Sequence, residues 1–351
     1  MTLKRPNKAL VVSATGAFLF LILVFLLPEK TQIRTIRGAT MGTTWSVQIN
    51  SAASSVLQKT GHELEVLLHH FDADVYSTWN KNSELSRLNA SAIGESFKVS
   101  PELMAVLAMS KVLHAATHQA FDITIGPLVN LWGFGPEEMP MQVPEAAVID
   151  QHRQQMGIAD LVLDAKTGTV VKNRPLTLDL SAIAKGYAVD EAARLLVQNG
   201  YTSFLVEIGG EIRTQGLRPD NKPWVIAIET PLTDARAPYA AIANYGEAIA
   251  VAGSGDYRNF REINGTRYSH EIDPRTGYPI AHNLAAVTVI SDSAAKADAW
   301  ATALMVLGPE DGKVLADSEN LAAYFILRDG AVLQHRYTAA FARFLYPKQG
   351  I

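Results

Sequence analysis

The chain has 351 residues, 48% of them hydrophobic, and a formal net charge of −4. That is enough apolar material for one large domain, and the lack of a basic surplus argues against a nucleic-acid partner. It has no cysteine, which excludes disulfides, zinc–thiolate centres, a cysteine nucleophile and a lipidated N-terminal cysteine.

In chain order, Lys4, Arg5 and Lys8 precede an apolar run from Ala9 to Leu27. A helix over that run, at ~1.5 Å per residue, is about 28 Å long, close to the hydrocarbon thickness of a bilayer. A cleaved signal peptide would carry an apolar stretch of ~7–15 residues and a small-x-small cleavage site. Here the run is longer and ends Leu26-Leu27-Pro28-Glu29-Lys30, which favours a retained anchor over residues 1–30. Basic residues ahead of the span put the N-terminus in the cytoplasm and the body outside, on the periplasmic side of a cell inner membrane. Residues 31–38 read as a linker, and 39–347 as one domain.

Within the body, Thr44–Ile49 alternates like a strand, and Val56–Phe71 carries apolar residues at helical spacing. Pro101–Ala116 reads as a helix capped by Ser100. Ala182–Asn199 reads as another, ended by Gly200. Strands follow at Phe204–Ile208, Trp224–Ile228 and Ala248–Val251. Asn264-Gly265, between Glu262 and Tyr268, is a hairpin signal. Val287–Ile290 is a strand, Ala294–Val306 a helix closed by Gly308, and Tyr324–Leu327 a last strand. Strands and helices mix without a regular βαβ beat, so the fold class is α+β rather than a doubly wound sheet.

Several segments carry candidate chemistry. On a helix, Asp298 and Thr302 stand one turn apart, so both oxygens face the same way and suit a hard cation such as magnesium. An aspartate bonded locally on a surface helix fits the same pair. The run of alanines around it, at 297, 299, 301 and 303, points instead to a close approach by something else. Asp179-Leu180-Ser181-Ala182-Ile183-Ala184-Lys185-Gly186 runs into a helix start, where backbone amides and Lys185 attract phosphate; an ordinary turn capped by Ser181 fits equally. Ile208-Gly209-Gly210-Glu211 and Ala252-Gly253-Ser254-Gly255 are two glycine-rich turns, and no GxGxxG supports a dinucleotide fold. His270 precedes the turn Asp273-Pro274-x-Thr-Gly; an imidazole ordinarily titrates near ~6.5, so His270 is a candidate general base. Asp122 sits between apolar residues and, if buried, needs a backbone amide or a ligand hydroxyl.

Taken together, these segments resemble the bacterial FAD:protein FMN transferase (ApbE) family. The motifs are Thr40-Met41-Gly42-Thr43, Tyr76-Ser77-Thr78-Trp79, Phe121-Asp122-x-Thr-x-Gly-Pro-Leu, Asp179 to Gly186, Gly209-Gly210, Ser269-His270-x-Ile-Asp-Pro-x-Thr-Gly and Asp298-Ala299-x-Ala-Thr-Ala, in the family's order. The resemblance spans about Thr40 to Leu327. It implies a T-fold-like domain that splits FAD and moves FMN onto a protein threonine with magnesium. It implies metal ligands at Asp298, Thr302 and the Ala182 carbonyl. It implies FAD contacts at Met41, Trp79, Ala120, Phe121, Asp122, Asp179, Lys185 and Ile272. It makes subunits of sodium-pumping NADH:quinone reductase or Rnf-type complexes the expected acceptors. Some relatives carry a second aspartate where Ala301 stands here, and many are lipoproteins, whereas here the apolar run takes the place of the lipid. A magnesium-dependent FAD pyrophosphatase giving FMN and AMP, a non-enzymatic flavin carrier and a tethered structural domain are the competing expectations.

Overall fold

The structure is a computed structural model that describes residues 32–51, 55–137, 142–232 and 237–347. The expected anchor lies outside the described residues; among those described, no helix is long and apolar enough to cross a membrane.

One eight-stranded antiparallel sheet organises the domain. We number its strands β1 (Gln32–Thr40), β2 (Thr43–Ser51), β3 (Phe204–Ile208), β4 (Glu211–Gly216), β5 (Gly246–Gly255), β6 (Leu284–Ser291), β7 (Ala322–Asp329) and β8 (Val332–Tyr337). Their spatial order is their order in the chain, so the sheet is a meander with most of the other described elements inserted between neighbouring strands. The central strands are covered on both faces. On β7, Ala323, Phe325 and Leu327 enter the main core, while Ala322, Tyr324 and Ile326 enter a second cluster on the opposite face. The period of two, with both faces apolar, makes such strands read as continuous hydrophobic runs.

The four longest helices are α1 (Ser55–His69), α2 (Pro101–Ala116), α3 (Ala184–Gln198) and α4 (Ala294–Ser318), and of these α3 and α4 reach the site. α4 packs on β5, β6 and α3. The opposite face of the sheet is covered by a ribbon, Val225–Glu229 paired with Pro238–Ala243, and by the turn Ala339–Phe344. A small three-stranded sheet (Ser96–Lys98, Thr169–Lys172, Leu161–Asp164) joins the main core beside α2.

The α+β class holds, as do the Ser100 cap and the first-turn Pro101 of α2. The hairpin holds too: Ile263 pairs with Thr266 around Asn264 and Gly265, both at positive φ, the geometry of a tight two-residue turn. Several boundaries differ. The expected linker is not one: Gln32–Thr40 pairs along its whole length with β2, and its Ile33, Thr35 and Ile36 are β-branched residues suited to a pleated surface. The helix expected over Val56–Phe71 passes into a wider π-helical turn at His70–Val75. α3 begins at Ala184, with Ile183 at its N-cap position and no side-chain cap; Ser181, two residues earlier, hydrogen-bonds to Asp179. The ribbon strand starts at Val225 and not Trp224, and Gly253-Ser254-Gly255 is strand rather than turn. α4 runs on past Val306 after a break at Gly308, whose φ of 82° is non-helical.

Candidate active site

A cavity of about 550 Å³ opens where the start of α3, the face of α4, the β3–β4 turn, β5 and the segment 257–272 meet. Its floor is built by close approach. Gly186, in the first turn of α3, lies against the backbone of α4: a Cβ there would come within 2.3 Å of the Ala294 oxygen and 2.7 Å of the Ala295 Cα. Ala294 and Ala295 are both buried, so the small residues at this junction are the condition for that contact.

At this junction, first-turn amides of each helix lack helical acceptors. The Gly186 N–H donates to Asp298 Oδ2 at 3.1 Å. Asp298 is only 3% exposed. Thr302 follows one turn later, its Oγ1 3.2 Å from Ser254 Oγ on β5. Ala182 stands ahead of the α3 cap, so its carbonyl is not taken by the helical ladder; the first ladder bond runs from the Tyr187 N–H to Ile183 O. Ala182, Asp298 and Thr302 all line the cavity.

Charge is concentrated here. Lys185 Nζ lies 3.5 Å from Glu211 Oε1 and donates to Ser181 O at 3.3 Å. Burial pulls the lysine down, but Glu211 and Asp298 outweigh it and hold the ammonium well above its usual range. Burial pushes the Glu211 carboxyl up to about 8, with Lys185 opposing and Asp298 adding to the rise. Burial likewise raises Asp298, against the pull of Lys185 and the Gly186 amide, and raises Glu271. One ammonium facing three buried carboxyls leaves room for further positive charge.

On the other side, His270 Nδ1 lies 2.9 Å from the Asn259 oxygen and Nε2 lies 3.5 Å from Glu271 Oε1. Its backbone N–H donates to the same Asn259 carbonyl, so ring and main chain are tied to one loop. Ile272 is buried and bridges to Pro279 at the base of the Asp273–Gly277 turn.

The structure therefore brings Ala182, Lys185, His270, Ile272, Asp298 and Thr302 to one cavity. Met41, Trp79, Ala120, Phe121, Asp122 and Asp179 do not line it. Met41, at φ 48°, donates its N–H to Asp72 Oδ2 at 2.7 Å in the π-helical turn, and Trp79 is 71% exposed. Asp122 finds a backbone partner: its Oδ1 accepts from the Thr124 N–H at 2.7 Å and hydroxyl at 2.6 Å. Ala120 and Phe121 are buried beside it. The Asp179 N–H donates to Ile123 O at 2.8 Å, which joins the two aspartate-bearing segments, and Ile125 at the end of the first of them does line the cavity. Sequence reasoning missed Glu211, Glu271 and Ser254 as site residues. Each is contiguous with a motif already noted, but none is distinguished by spacing.

The donor set around Asp298 fits a hard cation: carboxylate, hydroxyl and carbonyl, all oxygen. Among the described residues, no three His, Asp or Glu side chains gather as a metal cluster, so main-chain and hydroxyl oxygens must complete any such set.

A model of the ApbE family matches residues 41–325. An FAD:protein FMN transferase of Haemophilus influenzae is 38% identical over 92% of this chain and 94% of its own length. Among solved structures, the flavin transferase ApbE from Vibrio cholerae is 40% identical, with a TM-score of 0.80, covering 90% of this chain and all (100%) of its own. The apo form of Pseudomonas stutzeri flavinyl transferase ApbE is 38% identical, with a TM-score of 0.80 and coverage of 90% and 97%.

Proposed function

The chain belongs to the ApbE family, and we propose that its cavity holds FAD with a magnesium ion while a threonine hydroxyl of an acceptor protein attacks. It transfers the FMN moiety of FAD onto an acceptor protein. The observation that carries the finer reading is the convergence of Lys185, His270, Asp298 and Thr302, from three separate segments, on one cavity.

Asp298, Thr302 and the Ala182 carbonyl would hold the cation. When bound, magnesium supplies charge neutralisation and Lewis-acid polarisation of the diphosphate. The chain's own residues do the rest. Lys185, kept protonated by Glu211 and Asp298, offers a fixed positive charge to phosphate oxygens without reorganising. His270 donates Nδ1–H to the Asn259 carbonyl, which leaves Nε2 with its lone pair. Nε2 takes the threonine proton as the threonine oxygen bonds to the FMN phosphorus. The bond from that phosphorus to the bridging oxygen breaks, and AMP leaves with the oxygen. Glu271, 3.5 Å from Nε2, faces the imidazolium so formed.

Residues 9–27 are the reading's membrane anchor, with the domain on the periplasmic face of the inner membrane; Lys4, Arg5 and Lys8 ahead of the span support that orientation. A tethered enzyme shares its surface with membrane-bound acceptors such as subunits of sodium-pumping NADH:quinone reductase or Rnf-type complexes, which raises encounter frequency.

The test incubates the full chain with FAD, magnesium and a threonine-containing acceptor peptide, then measures masses. The reading expects an FMN-bearing peptide, equimolar AMP and no product in chelator. Free FMN and AMP beside an unmodified peptide, or undiminished product in chelator, would contradict it.

A further inference from the structure

The two helices that form the cavity floor are held by a reciprocal pair of carboxylates, of which the chemistry uses only one. Asp298 on α4 accepts the first-turn Gly186 amide of α3. One turn after Gly186, on the same face of α3, Asp190 does the converse. Its oxygens accept from the Ala294 N–H at 2.9 Å, the Ala295 N–H at 3.1 Å and the Ser293 hydroxyl at 2.7 Å, the opening residues of α4. Arg213 on β4 donates to Asp190 and, at 2.9 Å, to the Asp292 carbonyl just ahead of the same helix. Residues 186 and 190 form one stripe of α3; 294, 298 and 302 form the facing stripe of α4.

We propose that Asp190 is a positioning residue for the reaction centre: it fixes where α4 starts against α3, and so where Asp298 and Thr302 stand relative to Ala182 and Lys185. The proposed oxygen set is split between the two helices, so its spacing is set by their register and not by either helix alone. α4 has a cap of its own, since Ser293 Oγ accepts the Lys296 N–H at 3.3 Å. Loss of Asp190 therefore frees the register without unwinding the helix. Neutralising Asp190 also leaves Arg213 without its carboxylate, which further loosens the tie from β4 to the helix start.

This inference rests on the metal reading above, so its test carries one readout that needs no metal. Asp190→Asn is compared with the wild type and with Glu84→Gln, a control in which a buried carboxylate capping α2 through Ser100 is neutralised away from the cavity. Hydrogen exchange of the Gly186 amide is followed without metal, and Mn²⁺ affinity is measured by electron paramagnetic resonance. In Asp190→Asn we expect Gly186 exchange to accelerate at least about tenfold, although residue 190 does not touch that amide. We expect Mn²⁺ to bind about 10–100-fold more weakly, the usual cost of losing a residue that orients a ligand. Glu84→Gln should change neither. Wild-type exchange and Mn²⁺ affinity in Asp190→Asn, or equal changes in Glu84→Gln, would overturn the assignment. If the wild type itself bound no Mn²⁺, the metal reading would fall, and the exchange comparison would still decide whether Asp190 sets the helix register.

Discussion

The two walls of the cavity are built in opposite ways. The α3–α4 wall is a dry contact between two backbones: Gly186 touches Ala294 and Ala295, buried alanines line the helix, and its carboxylate is almost wholly buried. The facing wall, from Asp256 to Ile272, is a loop and a short hairpin. Arg258 and Asn259 are exposed there, and Arg258 and the Tyr257 hydroxyl both pair with Glu229 on the ribbon. The first wall fixes charge in place, which preorganised electrostatics require. The second leaves a histidine reachable from solvent, as transfer onto a macromolecular acceptor requires.

That contrast sets the order of expected effects. Asp298→Ala should cost most. A Lewis-acid contribution of several kcal/mol corresponds to at least ~10³-fold in rate, so transfer should fall by that much at any magnesium concentration. Circular dichroism should show the fold retained, and a wild-type rate would remove Asp298 from the centre. On the open wall, His270→Ala should slow transfer by about 10²-fold while leaving FAD affinity within twofold, measured by flavin fluorescence. An unchanged rate would remove its role as base, and a matching loss of FAD affinity would make it a binding residue.

Gly186→Ala tests the dry contact by stability. The added carbon meets main-chain atoms that cannot rotate away, so destabilisation should reach about 1–3 kcal/mol or more, read from the denaturant midpoint. A comparable Asn259→Ala change on the open wall should cost under ~1 kcal/mol. Equal losses would erase the distinction between the walls.

A further effect is a pH dependence of the metal-free protein. Glu211 is raised from 4.5 to about 8 by burial, so between those values the folded state binds more protons than the unfolded chain. Stability from this group is therefore present at low pH and lost as pH rises through about 8. The elevated Asp298 and Glu271 act in the same direction. Magnesium should flatten that slope, because the cation takes the place of the shared protons. Thermal melts from pH 5 to 8.5 with and without magnesium check this; a slope of the opposite sign would contradict the cluster's electrostatics.

The parts of this architecture legible in the sequence are those encoded locally. Asp298 and Thr302 share a face because a helix repeats every 3.6 residues, and Asn264-Gly265 announces its own turn. The contacts that complete the site are not local. Ser254 reaches Thr302 from one strand, and Glu211 reaches Lys185 from the start of another; neither spacing nor periodicity carries that information. β1 resembled a linker because its mixture of arginine, threonine and isoleucine lacks a clean alternation, and only pairing with β2 gives it order. β8 was invisible because nearly all of it is exposed, so no buried face imposes a pattern.

The most direct test is an anomalous-scattering map from crystals soaked with Mn²⁺ and FAD. The account predicts a manganese peak within coordination distance of the Asp298 carboxylate and the Thr302 hydroxyl, with the flavin diphosphate beside it. Bound FAD with that position empty, or a peak elsewhere in the domain, would contradict it.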